Sequence, residues 1–256
     1  MYWTDIDHSF CESSITGLPE YYNSFSSLFI IFFGVAGLMN IYNELFIDIL
    51  YTNLAIVGFG SFGYHWYGNI GWGMLDEIPM ILAIFTGIIY VDNVHFLLCK
   101  QIYDKNDKND TISKNIIYKR KAKLFVYLFS MCLFLISNIM ANFRRLFPTI
   151  FTCVAAYLYY KIYRLLQLVN TNKELIIAKV FDSLVVISVS GSIWIFTEVS
   201  CNYSKHPIFL IGHPLWHFFI GHGFYNLIQV VNFIKTNQPG DTLKYNDFYL
   251  LKKSHE

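Results

Sequence analysis

The sequence predicts an all-α, polytopic membrane protein, built as a single bundle of seven transmembrane helices. Of its 256 residues, 55% are hydrophobic and only 14% are charged, whereas soluble domains carry about 25% charged residues. Seven apolar segments follow one another, and each exceeds the ~17 residues that a bilayer crossing needs. This recurrence disfavours a soluble helical protein. The net charge of +1 gives no reason to expect nucleic acid as a partner.

We expect the seven spans to form one domain between an N-terminal segment, 1–22, and a polar tail, 235–256. A polar stretch rich in Lys, Asn and Asp, residues 101–123, separates the third span from the fourth. The predicted spans cover residues 23–41, 47–64, 73–94, 122–141, 148–169, 175–199 and 207–234.

Lysine and arginine residues divide unequally between the two sides of this bundle. If the N-terminus is outside, all but three of the 19 Lys and Arg residues fall on the inner side. Basic loops face the cytosol, so the sequence predicts a lumenal N-terminus and a cytosolic tail. The pair Lys252 and Lys253 near the end favours the endoplasmic reticulum or Golgi membrane.

Two of the five cysteines, Cys11 and Cys201, lie outside the interior of the spans. Both fall on the predicted outer side, where disulfides persist. The sequence therefore predicts a bond that fastens the N-terminal segment to the loop before the last span. Two free thiols are the alternative.

A group of polar residues occupies one side of the bundle. His65 ends the second span, Asp76 opens the third, and His213 and His217 stand near the start of the last. Spans that alternate across the bilayer bring these ends to the same side, and His213 and His217 share a helix face. Three histidines with an open fourth position are a common catalytic zinc site. Ser61, one turn before His65, lies on the same face.

Such a site favours hydrolysis. Zinc held by neutral imidazoles lowers the pKa of bound water to about 7 and polarises a carbonyl, and a carboxylate such as Asp76 can transfer the proton. Simpler roles stay open at this stage. A histidine can bond to a backbone carbonyl, Ser61 can serve helix packing, and Asp76 can stabilise a helix start.

Three blocks of sequence resemble the alkaline ceramidases, members of a superfamily of seven-span hydrolases that includes the adiponectin receptors. The blocks are "FCESSITGLPEYYNSFS", "GSFGYHWYGNIGWGMLDEIPM" and "HPLWHFFIGHGFYN". The second is similar to the family's Ser-x-x-x-His followed, eleven residues on, by Asp and then Glu-x-Pro-Met. The blocks appear in the family's order and extend over nearly the whole chain.

The resemblance implies zinc held by His65, His213 and His217, with Ser61 beside the metal and Asp76 as the proton-transfer residue. The implied reaction is hydrolysis of the amide of ceramide, which yields a sphingoid base and a fatty acid. A ceramide-type lipid is then the substrate, and membrane lipids surround the enzyme.

The resemblance also implies a calcium site in the N-terminal segment. Glu12 and Glu20 match two of the family's carboxylates, and Asp7 can substitute for a third. Other positions depart, since Ser9, Phe10 and Ser14 replace the usual Asp, Trp and Asn. The family's outer cysteine pair is similar to Cys11 and Cys201.

Two other functions compete with the amidase. One is a receptor-like member of the same superfamily, in which zinc is structural and turnover is slight. The other is a retinal-binding receptor, which needs a Schiff-base lysine in the last span. Residues 207–234 contain no lysine, which argues against that function.

Overall fold

The computed structural model describes residues 10–40, 44–106, 110–140, 146–169, 173–236, 242–243 and 253–254. Within these ranges the chain is almost entirely helical. The α-helices are α1 (Cys11–Thr16), α2 (Tyr21–Leu38), α3 (Leu45–Tyr67), α4 (Ile70–Asn106), α5 (Asp110–Ile139), α6 (Phe147–Leu166), α7 (Lys173–Cys201) and α8 (Gly212–Thr236). A 3₁₀ helix, Pro207–Ile211, precedes α8, and the two-residue strands β1 (Thr242–Leu243) and β2 (Lys253–Ser254) pair antiparallel.

The all-α membrane class is confirmed. Five helices in the described ranges are long and apolar enough to cross a membrane, at Tyr21–Leu38, Leu45–Tyr67, Ile70–Gln101, Arg120–Ile139 and Lys173–Cys201. The other two predicted spans coincide with α6 and α8, of 20 and 25 residues. These helices carry more polar side chains, including Lys161 and Arg164 on α6 and three histidines on α8. The count of seven spans therefore stays a prediction.

The polar stretch predicted between the third and fourth spans is largely helical. α4 continues to Asn106 and α5 begins at Asp110. Residues 101–123 contain neither glycine nor proline, so nothing in their covalent structure interrupts a helix. A drop in hydropathy marks where the apolar segment stops. A helix continues past that point as long as its backbone hydrogen bonds continue.

The turn between α3 and α4 is short, and its residues explain why. Gly68 caps α3 in the left-handed conformation (φ 67°), which glycine adopts without a steric penalty. The side chain of Asn69 then accepts a hydrogen bond from the backbone N–H of Trp72 at 3.1 Å, in the first turn of α4. This turn keeps the end of α3, with His65, close to the start of α4, with Asp76.

The chain divides into two compact units. The first comprises Met1–Met80 and Ile176–Val230, and the second comprises Ile81–Leu175 and Val231–Glu256. The single-domain organisation stays a prediction.

In the first unit, α2 packs closely on α3, and the buried Tyr51 hydroxyl donates to the carbonyl oxygen of Tyr225 at 3.3 Å. In the second, Ile84, Ile88 and Leu165 are buried. All predicted zinc and catalytic residues belong to the first unit.

Candidate active site

Three histidine side chains come together in the first unit. His65 lies in the last turn of α3, and His213 and His217 lie one turn apart at the start of α8. Each offers a ring nitrogen, and these ligand atoms all lie within 4.8 Å of one another. The rings are 2%, 5% and 3% exposed. Among the described residues, no other group of three His, Cys, Asp or Glu side chains is close enough to hold a metal ion.

The Nδ1 atom of each ring faces a partner outside the group. For His65 it is the carboxylate of Glu20, 2.6 Å away, and for His217 the hydroxyl of Ser26, 2.8 Å away. The Nδ1 atom of His213 faces the indole N–H of Trp194 at 3.1 Å and the carboxylate of Glu198 at 3.3 Å. Acceptors at Nδ1, here Glu20, Ser26 and Glu198, orient a ring around a metal and favour the tautomer with its proton on Nδ1. They leave Nε2 of each ring as the nitrogen for an ion.

Ser61 lies beside His217, one of these three histidines. Its Oγ is 3.4 Å from Nε2 of His217, the ring nitrogen that its Nδ1 partner leaves for an ion. Ser61 is buried, and its hydroxyl accepts a hydrogen bond from Ser27 at 3.1 Å. Its position one turn before His65 on α3 explains the placement, because residues four apart share a helix face.

Asp76 lies near the site because the backbone of α4 packs closely against α3. The backbone of Leu75 and Asp76 approaches Gly60 so closely that a Cβ atom on Gly60 would overlap it. Gly60 directly precedes Ser61, so this contact brings α4 beside the serine's turn of α3. The Asp76 side chain is partly exposed.

A model of the protein family described as Ceramidase matches residues 6–254 of the chain. The chain belongs to the ceramidase family. The match covers nearly the whole sequence and confirms the family that the motifs indicate. The chain is accordingly a hydrolase that acts on the amide bond of ceramide, and its substrate is a ceramide-type lipid. A comparison with curated protein sequences finds no match.

The N-terminal segment of this ceramidase-family chain holds two buried carboxylates, both only 1% exposed. Glu12 accepts the backbone N–H groups of Tyr22 and Asn23 at 2.8 and 2.9 Å. It therefore caps α2, whose own N-cap residue makes no side-chain cap. Burial raises the pKa of Glu12, although these N–H donors oppose the shift.

Glu20 connects the same segment to the histidines. Besides its contact with His65, its carboxylate accepts the side-chain amide of Asn23 at 3.0 Å. Burial alone would raise the pKa of Glu20, but the hydrogen bond and charge of His65 outweigh it and lower the pKa to about 2. The third predicted calcium ligand, Asp7, lies outside the described residues. Calcium binding by Glu12 and Glu20 stays a prediction.

A covalent link also holds this segment. The sulfur atoms of Cys11 and Cys201 lie at disulfide-bonding distance, with Cα atoms 5.7 Å apart. Next to Cys11, the ring of Phe10 packs 4.9 Å from His65 and 4.7 Å from His213, measured between ring centroids. The link thus keeps an aromatic side chain against two of the three histidines.

Four residues whose polar atoms face an Nδ1 atom of the histidines were not predicted as site residues. They are the partners of His213 and His217: Trp194, Glu198, Ser26 and Ser27. A signal existed for Glu198, because it is an acidic residue inside the predicted span 175–199, and ionisable residues in spans usually have a function or a partner. The serines and the tryptophan carry no comparable signal, since both types are common in membrane helices.

Proposed function

We propose that this chain is a zinc-dependent amidase that hydrolyses ceramide within the membrane. One observation carries the proposal: three buried histidines converge, and each Nδ1 already has an outer partner. Neutral imidazoles held at Nδ1 by outer partners are the donor set of catalytic zinc sites. The alternative, a hydrolase site without metal, would leave the ring nitrogens of three buried histidines close together with no ion for them to bind.

His65, His213 and His217 would hold the ion. When bound, zinc would activate a water molecule and polarise the amide carbonyl. Ser61 is suited to donate a hydrogen bond to the carbonyl oxygen, where negative charge develops as water attacks the carbon. The hydroxyl of Ser27 supports Ser61 from behind.

Asp76 is the proposed proton-transfer residue. It would accept a proton from the attacking water and deliver it to the amide nitrogen as the C–N bond breaks. The sphingoid base then leaves as an amine, and the acyl group leaves as a fatty acid.

The membrane setting fits a substrate with two hydrocarbon chains. In the proposed arrangement, seven spans place the N-terminus and the zinc site on the lumenal side and the tail in the cytosol, in the endoplasmic reticulum or Golgi membrane. Ceramide carries its amide near the lipid headgroups, so a site at the outer ends of α3 and α8 would meet it from the bilayer.

Calcium is a proposed second ion. Glu12 and Glu20 supply the oxygen ligands that calcium prefers, and each carboxylate retains lone pairs beyond its present hydrogen bonds. Bound calcium would act on the segment that holds Glu20 against His65. The site would therefore regulate the histidine group rather than take part in the reaction.

The test is hydrolysis of labelled ceramide by purified protein in lipid, with metal content measured by elemental analysis. We expect zinc in the protein, loss of hydrolysis when a chelator removes it, and recovery with zinc but not with magnesium. Unchanged hydrolysis by metal-free protein would contradict zinc dependence. Bound zinc without hydrolysis would favour the receptor-like alternative.

A further inference from the structure

Glu198 lies in the last turn of α7 and joins two separate parts of the first unit. One carboxylate oxygen is 3.3 Å from Nδ1 of His213. The other accepts the backbone N–H of Cys11 at 2.8 Å. The side chain is 21% exposed, so this bridge lies partly out of contact with water. The two contacts span chain separations of 15 and 187 residues.

The Nδ1 atom of His213 faces one hydrogen-bond donor and one hydrogen-bond acceptor. The indole N–H of Trp194 only donates, and the carboxylate of Glu198 only accepts. A neutral imidazole satisfies one of them in each tautomer. With the proton on Nε2, Nδ1 accepts from Trp194. With the proton on Nδ1, the ring donates to Glu198 and its Nε2 lone pair is available to a metal.

The second contact of Glu198 concerns α1. Cys11 is the first residue of this helix, and the preceding residue, Phe10, provides no side-chain cap. The first N–H groups of a helix have no partner within it, and Glu198 supplies one from α7. The disulfide between Cys11 and Cys201 fastens the same end of α1 one turn further along α7.

We propose that Glu198 is a positioning residue, which selects the metal-binding tautomer of His213 and couples it to the start of α1. The inference rests on the proposed function, because it assumes that a metal binds Nε2 of His213. Trp194 then stabilises the opposite tautomer. The pair sets how readily His213 accepts the ion, while neither residue touches the substrate.

The test compares zinc affinity, measured by competition with a chelator, among four variants. Glu198→Leu removes both acceptor oxygens at similar size, and we expect zinc binding about 10–100-fold weaker. Glu198→Gln keeps one acceptor oxygen and should recover part of the loss. Glu174→Leu, at the exposed opposite end of α7, is the matched control and should bind like the parent.

Trp194→Phe separates tautomer selection from packing. It removes the N–H donor and keeps an aromatic ring, so zinc affinity should stay the same or rise. A loss as large as that of Glu198→Leu would mean that packing around His213 matters, and would overturn the proposal. Parent-like zinc affinity in Glu198→Leu would also overturn it.

A second readout does not depend on the metal. Hydrogen exchange of the peptide covering residues 10–16 should speed up in Glu198→Leu, even in zinc-free protein, because the Cys11 N–H loses its acceptor. Exchange that stays at the parent rate would contradict the coupling to α1. A parent protein that binds no zinc would instead refute the proposed function, and this exchange measurement would still test the link.

Discussion

The two units each contain a polar cluster among apolar helices, and the clusters differ in how their charges are balanced. In the second unit, Asp92 of α4 accepts hydrogen bonds from Lys161 of α6 at 2.7 Å and from Tyr127 of α5 at 2.6 Å. The Tyr127 hydroxyl also lies 3.1 Å from that of Tyr157. We call these four residues the Asp92 cluster. In the first unit, the histidine site consists of His65, His213 and His217.

In the Asp92 cluster, the negative charge of the carboxylate is balanced by a positive charge within the cluster. One carboxylate meets one ammonium group, and both carboxylate oxygens are occupied, so three helices are held together without a further ligand. In the histidine site the partners lie at the Nδ1 atoms, and the three rings offer their other nitrogens to a common centre. A buried polar cluster whose groups all pair with one another needs no ligand. A cluster whose nitrogen lone pairs converge is suited to bind a cation.

The largest expected effect comes from a ligand of the histidine site. His217→Ala should lose bound zinc and reduce ceramide hydrolysis by about a millionfold, toward the uncatalysed rate. Elemental analysis and a hydrolysis assay measure the two effects. His95→Ala, which removes a partly buried histidine from the second unit, is the control. Zinc content at the parent level in His217→Ala would remove this residue from the ligand set.

The next effect concerns proton transfer. Asp76→Asn should keep zinc and the fold but lower hydrolysis about 10²–10⁴-fold, because the amide cannot accept and return a proton. Asp182→Asn, an exposed aspartate on α7, should hydrolyse ceramide like the parent. Full activity in Asp76→Asn would exclude the assigned role.

Breaking the Asp92 cluster should affect stability without affecting zinc. Asp92→Asn leaves the charge of Lys161 without its partner, and we expect a loss of about 1–3 kcal/mol in the free energy of unfolding. Thermal unfolding in detergent measures this loss. The double variant Asp92→Asn/Lys161→Met should recover most of it, and equal zinc content in all three proteins would support the contrast between the clusters. Zinc loss in Asp92→Asn would argue against it.

The smallest effect concerns a single hydroxyl. Ser26→Ala removes the partner of Nδ1 of His217, and zinc should bind about tenfold more weakly. Ser192→Ala is the control, because the Ser192 hydroxyl is exposed and bonds only to its own helix at the Ser188 carbonyl. If both variants bind zinc equally well, Ser26 does not orient the ring.

The sequence predicted much of this molecule because each membrane helix can be identified from the apolar composition of its own segment. Apolar windows located every long helix to within a few residues at most ends, and alternation across the bilayer was enough to bring His65 to His213 and His217. The continuation of α4 and α5 into the polar stretch 101–123 was not predicted, for a simple reason. Loss of hydropathy marks the edge of the lipid, not the end of a helix.

The outer partners of the histidines could not be predicted in the same way. Glu198 meets His213 only because α7 is rotated to face α8, and no spacing within either helix states that rotation. The contact of Glu198 with Cys11 crosses 187 residues. Glu20 illustrates the same difficulty, since its match to a calcium ligand gave no indication that its carboxylate would contact His65.

The fastening of α1 has a consequence for biosynthesis. Cys11 of this helix leaves the ribosome well before its disulfide partner, which follows 190 residues later. At a synthesis rate of about 5–20 residues per second, Cys201 appears roughly 10–40 s after Cys11. During that interval the contact of Phe10 with His213 cannot form, because His213 follows Cys201 in the chain. The start of α1 is therefore among the last parts of the first unit to reach its final contacts.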